Sequence, residues 1–296
     1  MDKKKSWNII KLFLKIAFTV AALWIVYNKV DLKTLSLIRQ NANPWFLLPA
    51  LFFFVLSQTI SCFRLLNFFR NISLPITAMQ NFRLYLMGMF YNLFLPGGLG
   101  GDGYKVFILK KRFDTTHRKV FIAIFLDRTA GLWALGFIIA TLSTFIPLLQ
   151  PYSYWAAPAY LASTYVYYLI IKRFFPLHTG RFVKTHLMAL AVQTCQMINA
   201  AFIIATLGIE DWYIPYMFIF MLSSLSTLFP FSVGGLGARE IVILWGATAL
   251  GLDKDYSVSI SLSFYFISAF VALSGIFILF DKKRFPVAAV QLSKDS

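Results

Sequence analysis

The chain has 296 residues, of which 59% are hydrophobic and 14% charged, with 32 Phe and a formal net charge of +16. That composition excludes a soluble globular domain and reads as a polytopic membrane protein. Its basic residues lie between apolar stretches, which suits loops beside anionic lipid rather than a nucleic-acid surface.

Full helical spans are predicted at roughly 8–27, 44–63, 120–142, 154–171, 186–207 and 256–280, each close to the ~20 apolar residues that cross a bilayer. The first resembles a signal peptide in outline. Lys11 and Lys15 interrupt it and no small-residue cleavage site follows Tyr27, so it reads as a retained helix. Two further apolar regions, 76–112 and 214–250, each contain a glycine-rich tip. The first tip reads Pro96-Gly97-Gly98-Leu99-Gly100-Gly101-Asp102, the second Val233-Gly234-Gly235-Leu236-Gly237-Ala238-Arg239. Glycine runs break helices. In lipid, broken helices persist only where protein or a wet cavity surrounds them.

The positive-inside rule sets the expected topology. With a cytoplasmic N-terminus, the inside segments hold Lys3, Lys4, Lys5, Arg64, Arg70, Arg83, Lys105, Lys110, Lys111, Arg112, Arg118, Lys119, Lys172, Arg173, Arg181, Lys184, Lys282, Lys283, Arg284 and Lys294. The outside segments hold only Lys29, Lys33, Arg39 and Lys254. Basic loops flank the first glycine region on both sides, so it is expected to enter and leave on the cytoplasmic face. Acidic residues flank the second, which suits a hairpin from the outer face.

Gly-Gly-Leu-Gly recurs at an offset of 137 residues, and the same offset brings 44–63 onto 181–200 and 120–142 onto 257–279. Charge bias and offset together predict an all-α integral membrane bundle with an inverted-topology repeat, six full spans and two re-entrant hairpins. Its halves are expected at 1–143 and 144–281, with a cytoplasmic tail at 282–296. A plain eight-helix bundle results if each hairpin is instead one tilted span.

Few ionised residues are expected inside the membrane: Asp102, Asp127, Arg128, Arg239 and Glu240. Each costs at least about 2.5 kcal/mol there on insertion scales and so needs a partner or water. Asp127 and Arg128 sit about 10–12 Å into their helix. Adjacent helical residues point apart, so each is expected to meet a group from another segment. Two readings stand: a structural ion pair, or an Arg128 guanidinium that holds a lipid phosphate.

A half-helix is expected to start near Asp102 and another near Ala238. Glycines Gly97, Gly98, Gly100, Gly101, Gly234, Gly235 and Gly237 would let backbone amides approach an anion at these helix starts. The alternative is that Asp102 and Glu240 cap the half-helices. Lys105 either balances Asp102 or sits at the membrane surface. Arg239 either serves the ligand or pairs with Asp127. Gln193, Gln196 and Asn199 share one helix face, as do Gln58 and Ser61, and are read as interhelical hydrogen-bonding groups. Cys62 and Cys195 are read as buried thiols. His117, His178 and His186 lack metal-ligand spacing and are read as surface residues. Gly98, Gly100 and Gly103 match a dinucleotide fingerprint, but no βαβ context surrounds them. No catalytic residue, metal site or cofactor is expected.

Asn92 with the Pro96–Asp102 run and Lys105, Asp127-Arg128 with Gly131, and Gly234-Gly235-Leu236-Gly237 with Glu240 together resemble the flippase-like domain family. That is the membrane region of lysylphosphatidylglycerol synthases and their stand-alone relatives. The resemblance covers nearly the whole chain. It implies an inner-membrane protein, not an enzyme, that moves an anionic, aminoacylated or polyprenyl-phosphate-linked lipid headgroup. Lys105 stands where many relatives are expected to carry Arg, which replaces a planar fork with a point charge. The short stretch after the last expected span has no room for the synthases' aminoacyl-transferase domain. Membrane lipids are the expected partners, with a separate lipid-modifying enzyme and further copies of the chain left open. The alternatives are a membrane transferase using a lipid-linked sugar or aminoacyl donor, and a scaffold subunit.

Overall fold

The computed structural model describes residues 43–94, 100–113, 115–210, 213–228 and 238–280. The expected span at 8–27, the tip glycines Gly97, Gly98, Gly234, Gly235 and Gly237, and the tail at 282–296 lie outside the described residues. Regular structure among the described residues is helical. In chain order the α-helices are α1 (Leu47–Asn71), α2 (Ala78–Phe94), α3 (Gly100–Arg112), α4 (His117–Ser143), α5 (Gln150–Phe174), α6 (Phe182–Thr206), α7 (Tyr213–Ser224), α8 (Ala238–Leu250), α9 (Lys254–Leu273) and α10 (Gly275–Phe280).

Local chemistry marks several starts. Before α2, the Thr77 amide donates to Gln80 Oε1 (3.0 Å) and the Gln80 amide to Thr77 Oγ1 (3.2 Å), a reciprocal capping box. Asp253 caps α9, its Oδ1 accepting from the amides of Asp255 and Tyr256.

Among the described residues, four stretches are long and apolar enough to cross a membrane: Pro44–Asn71, His117–Ser143, Pro176–Thr206 and Lys254–Ile278. Only 28–44% of their most apolar windows is buried inside the protein, so most of each faces outward, as lipid contact requires. Helix α5 is 25 residues long and contains the predicted span 154–171, but its many tyrosines and Pro158 leave it outside this apolar set.

Helices α1 and α6 form the most extensive pairing and run antiparallel. The Asn43 amide donates to Thr206 O (3.0 Å), and Asn199 Nδ2 to Ala50 O (2.6 Å). Ala50, Ser57, Ala189 and Ala200 are fully buried, and such small residues let helix backbones approach where no hydrophobic effect drives them together. A buried apolar cluster that includes Leu65, Phe69, Leu84, Leu109, Ala123 and Ala130 ties α1 to α2, α3 and α4. Helix α5 attaches to α4 by polar contacts. Tyr160 OH donates to Trp133 O, Trp133 Nε1 to Thr164 Oγ1 (2.8 Å), and Thr129 Oγ1 lies 3.1 Å from Tyr167 OH.

In both glycine regions two helices are described, one on each side of the tip, and the two pack antiparallel. One continuous tilted span does not occur over either. In the first hairpin, α2 and α3 touch backbone to backbone: a Cβ on Gly101 would lie 2.1 Å from Gly88 O. The rings of Tyr91 and Tyr104 meet across the arms, tilted by 39° with centroids 4.5 Å apart. In the second hairpin, α7 ends in a 3-10 turn at Leu225–Leu228, and α8 returns along it. Helix α4 packs on α3 of the first hairpin and on α7 of the second.

Candidate site at the start of the first half-helix

Helix α3 begins at Gly100, and its end is closed by a residue from the opposite arm. Asn92 Oδ1 accepts from the Gly101 amide at 2.8 Å. This contact exists only because Gly88 and Gly101 let the arms meet. Among the described residues, Asn92 caps the Gly101 amide and Asp102 accepts from side chains. The Asp102 carboxylate instead lies between two cations. Lys105 Nζ donates to Oδ1 at 3.0 Å, and Arg128 Nε of α4 donates to Oδ2. Lys105 balances Asp102 inside the protein rather than sitting at the surface, and its ammonium also lies 5.1 Å from the Tyr85 ring centroid.

Exposure grades across this triad. The side chains of Lys105 and Asp102 are 8% and 13% accessible, whereas that of Arg128 is 35% accessible. The two buried members sit innermost, and Arg128 is the most exposed of the three.

Asp127 faces a different partner. Arg64 Nε donates to its Oδ1 at 2.7 Å and Nη2 to its Oδ2 at 3.3 Å, with both side chains buried. As expected, Asp127 and Arg128 each reach another segment. The expected Arg239–Asp127 pair does not form. Arg64, counted above with the loop bases, is instead inside the bundle because α1 runs on to Asn71, well past the apolar stretch 44–63. Its Nη1 has no hydrogen-bond partner among the described residues.

The second half-helix start is built differently. Arg239 is buried, with Nε donating to Ser223 Oγ (3.1 Å) and Nη2 to Ser224 Oγ (3.3 Å). Its guanidinium lies over the rings of Phe220 and Phe264 at 4.4 and 4.6 Å, which suits a desolvated cation. Glu240 accepts from Ser261 Oγ of α9 at 3.2 Å.

The polar residues read as helix connectors sit between helices. Gln193 Nε2 donates to Gly131 O (3.2 Å), Asn199 binds α1, and Tyr85 OH donates to Gln58 Oε1 (3.0 Å). Cys62 and Cys195 are free and buried. The surface reading fails for two histidines. His178 is buried beside Asn71 and Phe68, and His186 is enclosed by Phe182, Trp133 and Tyr167. These partners come from distant segments, which spacing along the chain does not reveal.

Long apolar helices with their ionised side chains matched inside define a helical membrane protein, which contacts membrane lipid over its outward faces. Residues 12–187 match the family model of the lysylphosphatidylglycerol synthase TM region, more than half of the chain, and the chain belongs to that family. No curated protein matches the chain.

Proposed function

We propose that the protein is a lipid flippase or scramblase, in which an anionic headgroup passes through a polar groove beside α4 while its tails stay in lipid. The observation that supports this reading is the Asp102–Lys105–Arg128 triad. It sets two cations against one carboxylate where α3 of the first hairpin meets α4, and Arg128 is its most exposed member. An arginine fork matches a phosphate, and its energetic effect grows where water is scarce. Arg239 and Asp127 take structural parts in this reading, because serines and Arg64 already occupy them.

The reading includes an inverted-topology repeat with both hairpins re-entrant and both termini in the cytoplasm. Its support is threefold: the 137-residue offset, two helix–break–helix units, and the antiparallel packing of α1 on its offset counterpart α6. A groove of this kind lowers the barrier to headgroup crossing and supplies no direction. No covalent chemistry is assigned to the chain.

Purified protein in liposomes with fluorescent anionic lipid tests the proposal. Wild type is expected to equilibrate the label between leaflets. Arg128→Gln is expected to slow this by about tenfold or more while its thermal midpoint stays close to wild type. Equal rates in the two proteins sink the proposed site.

A further inference from the structure

Three helices bring polar groups together at Gly131 of α4. From α1, Arg64 turns its guanidinium toward the glycine: a Cβ on Gly131 would stand 3.5 Å from both Nη1 and Nη2. From α6, Gln193 Nε2 donates to Gly131 O. Gly131 sits near the middle of the 27-residue α4, roughly 18–21 Å from either end. A guanidinium carries N–H donors on Nε, Nη1 and Nη2. Arg64 spends Nε on Asp127 Oδ1, and Nη2 on Asp127 Oδ2 and Ser61 Oγ. The donors on Nη1 are left over, although the residue is only 5% accessible. Gln193 Oε1 is likewise buried and accepts from no group among the described residues. Asn81 and Asn199 also leave an oxygen unmatched, but Arg64 Nη1 is the only buried side-chain donor so left among the described residues. Beside Gly131, an unspent donor and an unspent acceptor occur together.

From this arrangement we infer a buried hydration site beside Gly131, where water accepts from Arg64 Nη1 and donates to Gln193 Oε1. An unmatched polar atom is costly at a depth where lipid supplies no hydrogen bond. Water answers both needs, since it accepts and donates at once. Both atoms are enclosed, which admits a water and shuts out a headgroup with its tails. Glycine at 131 then has a specific use. Alanine would fit there by size, because 3.5 Å is ordinary contact, and it would favour the helix. Its methyl would, however, cover the guanidinium edge that water needs. Occupancy of the site does not depend on lipid transport, and its test uses none.

Water-edited solid-state NMR reads the site on the full chain in phosphatidylcholine bilayers. The probe is polarisation transfer from water protons to the side-chain carbons of Arg64 and Gln193. Phosphatidylcholine carries no hydroxyl, so water is the source of any transfer. Wild type is expected to show build-up at both residues about threefold faster than at the buried side chains of Leu65 and Leu84. Gly131→Ala is expected to abolish that excess and to lower the thermal midpoint by about 3 °C or more. Undiminished transfer in Gly131→Ala, or a midpoint at or above wild type as packing and helix propensity alone dictate, overturns the site. Absence of transfer to Arg64 in wild type also overturns it, and is the result if a segment outside the described residues holds Nη1. Transfer that appears only when phosphatidylglycerol replaces phosphatidylcholine assigns the guest to a lipid hydroxyl and overturns the water site. If Gly131→Ala does not fold, the wild-type transfer decides by itself.

Discussion

The two glycine-broken hairpins share a backbone plan and differ in how their second arms are held. In the first, backbone meets backbone at Gly88 and Gly101, Asn92 caps the helix start, and Asp102 is shared with Arg128 of α4. In the second, Arg239 folds back onto two serines and two aromatic rings, three of these residues within its own hairpin partner arm α7. One hairpin is locked outward to a neighbouring helix by charge, whereas the other satisfies its cation largely within itself. Two hairpins of like plan thus hold their cations differently, and of Arg128 and Arg239 it is Arg128 that is the more exposed.

The sharpest way to break this comparison is to remove the charge at each start. Asp102→Ala leaves the buried Lys105 ammonium without its carboxylate and is expected to destabilise by about 3–5 kcal/mol. Arg239→Met removes a buried cation, and Ser223 and Ser224 keep their bonds to Phe220 O. A smaller loss, about 1–2 kcal/mol, is expected there. Denaturation midpoints in one detergent compare the two, and equal losses would contradict the asymmetry.

Adding one methyl to each seam gives the next largest contrast. A Cβ on Gly101 meets the Gly88 carbonyl oxygen and carbon at 2.1 and 2.7 Å, so Gly101→Ala forces two backbones apart. A loss of about 3 kcal/mol or more is expected. At Gly246 of the second hairpin the Cβ meets the Ile219 side chain at 2.9 Å, which turns aside more easily. Gly246→Ala also gains helix propensity, and a net change within about 1 kcal/mol is expected. Thermal midpoints of the two variants check this.

The smallest expected effect sharpens the picture of the first start. Asn92→Ala leaves the Gly101 amide without its acceptor and is expected to cost about 1 kcal/mol. Asn92→Asp, which keeps the oxygen, is expected to restore most of it. Equal midpoints for the Ala and Asp variants would show that the bond at the Gly101 amide contributes nothing.

The helix breaks were legible because glycine runs inside apolar sequence have few other uses in a membrane. The positions of α1, α4, α6 and α9 followed from apolar length. The partners of Asp127 and Arg128 were legible only as a requirement, since burial demands a counter-charge but does not say which. Arg64 lies 63 residues from Asp127 and just beyond an apolar stretch, so it read as a loop base. Only the unbroken run of α1 to Asn71 brings it inside. Asn92 was visible as part of the tip motif, but its capping role depends on the close approach of Gly88 and Gly101 across the turn. His186 was misread for the same reason: its aromatic enclosure is assembled from α4, α5 and the first turn of α6.

The Gly88–Gly101 seam also limits how the molecule can rearrange. Arms joined so closely cannot slide past one another there, so α2 and α3 are held together as one leaf. Asp102 and Lys105 ride on that leaf, and Arg128 stays behind on α4. Parting that leaf from α4 would separate Asp102 from Arg128 and leave Lys105 beside the carboxylate, so no bare negative charge would be stranded in the membrane.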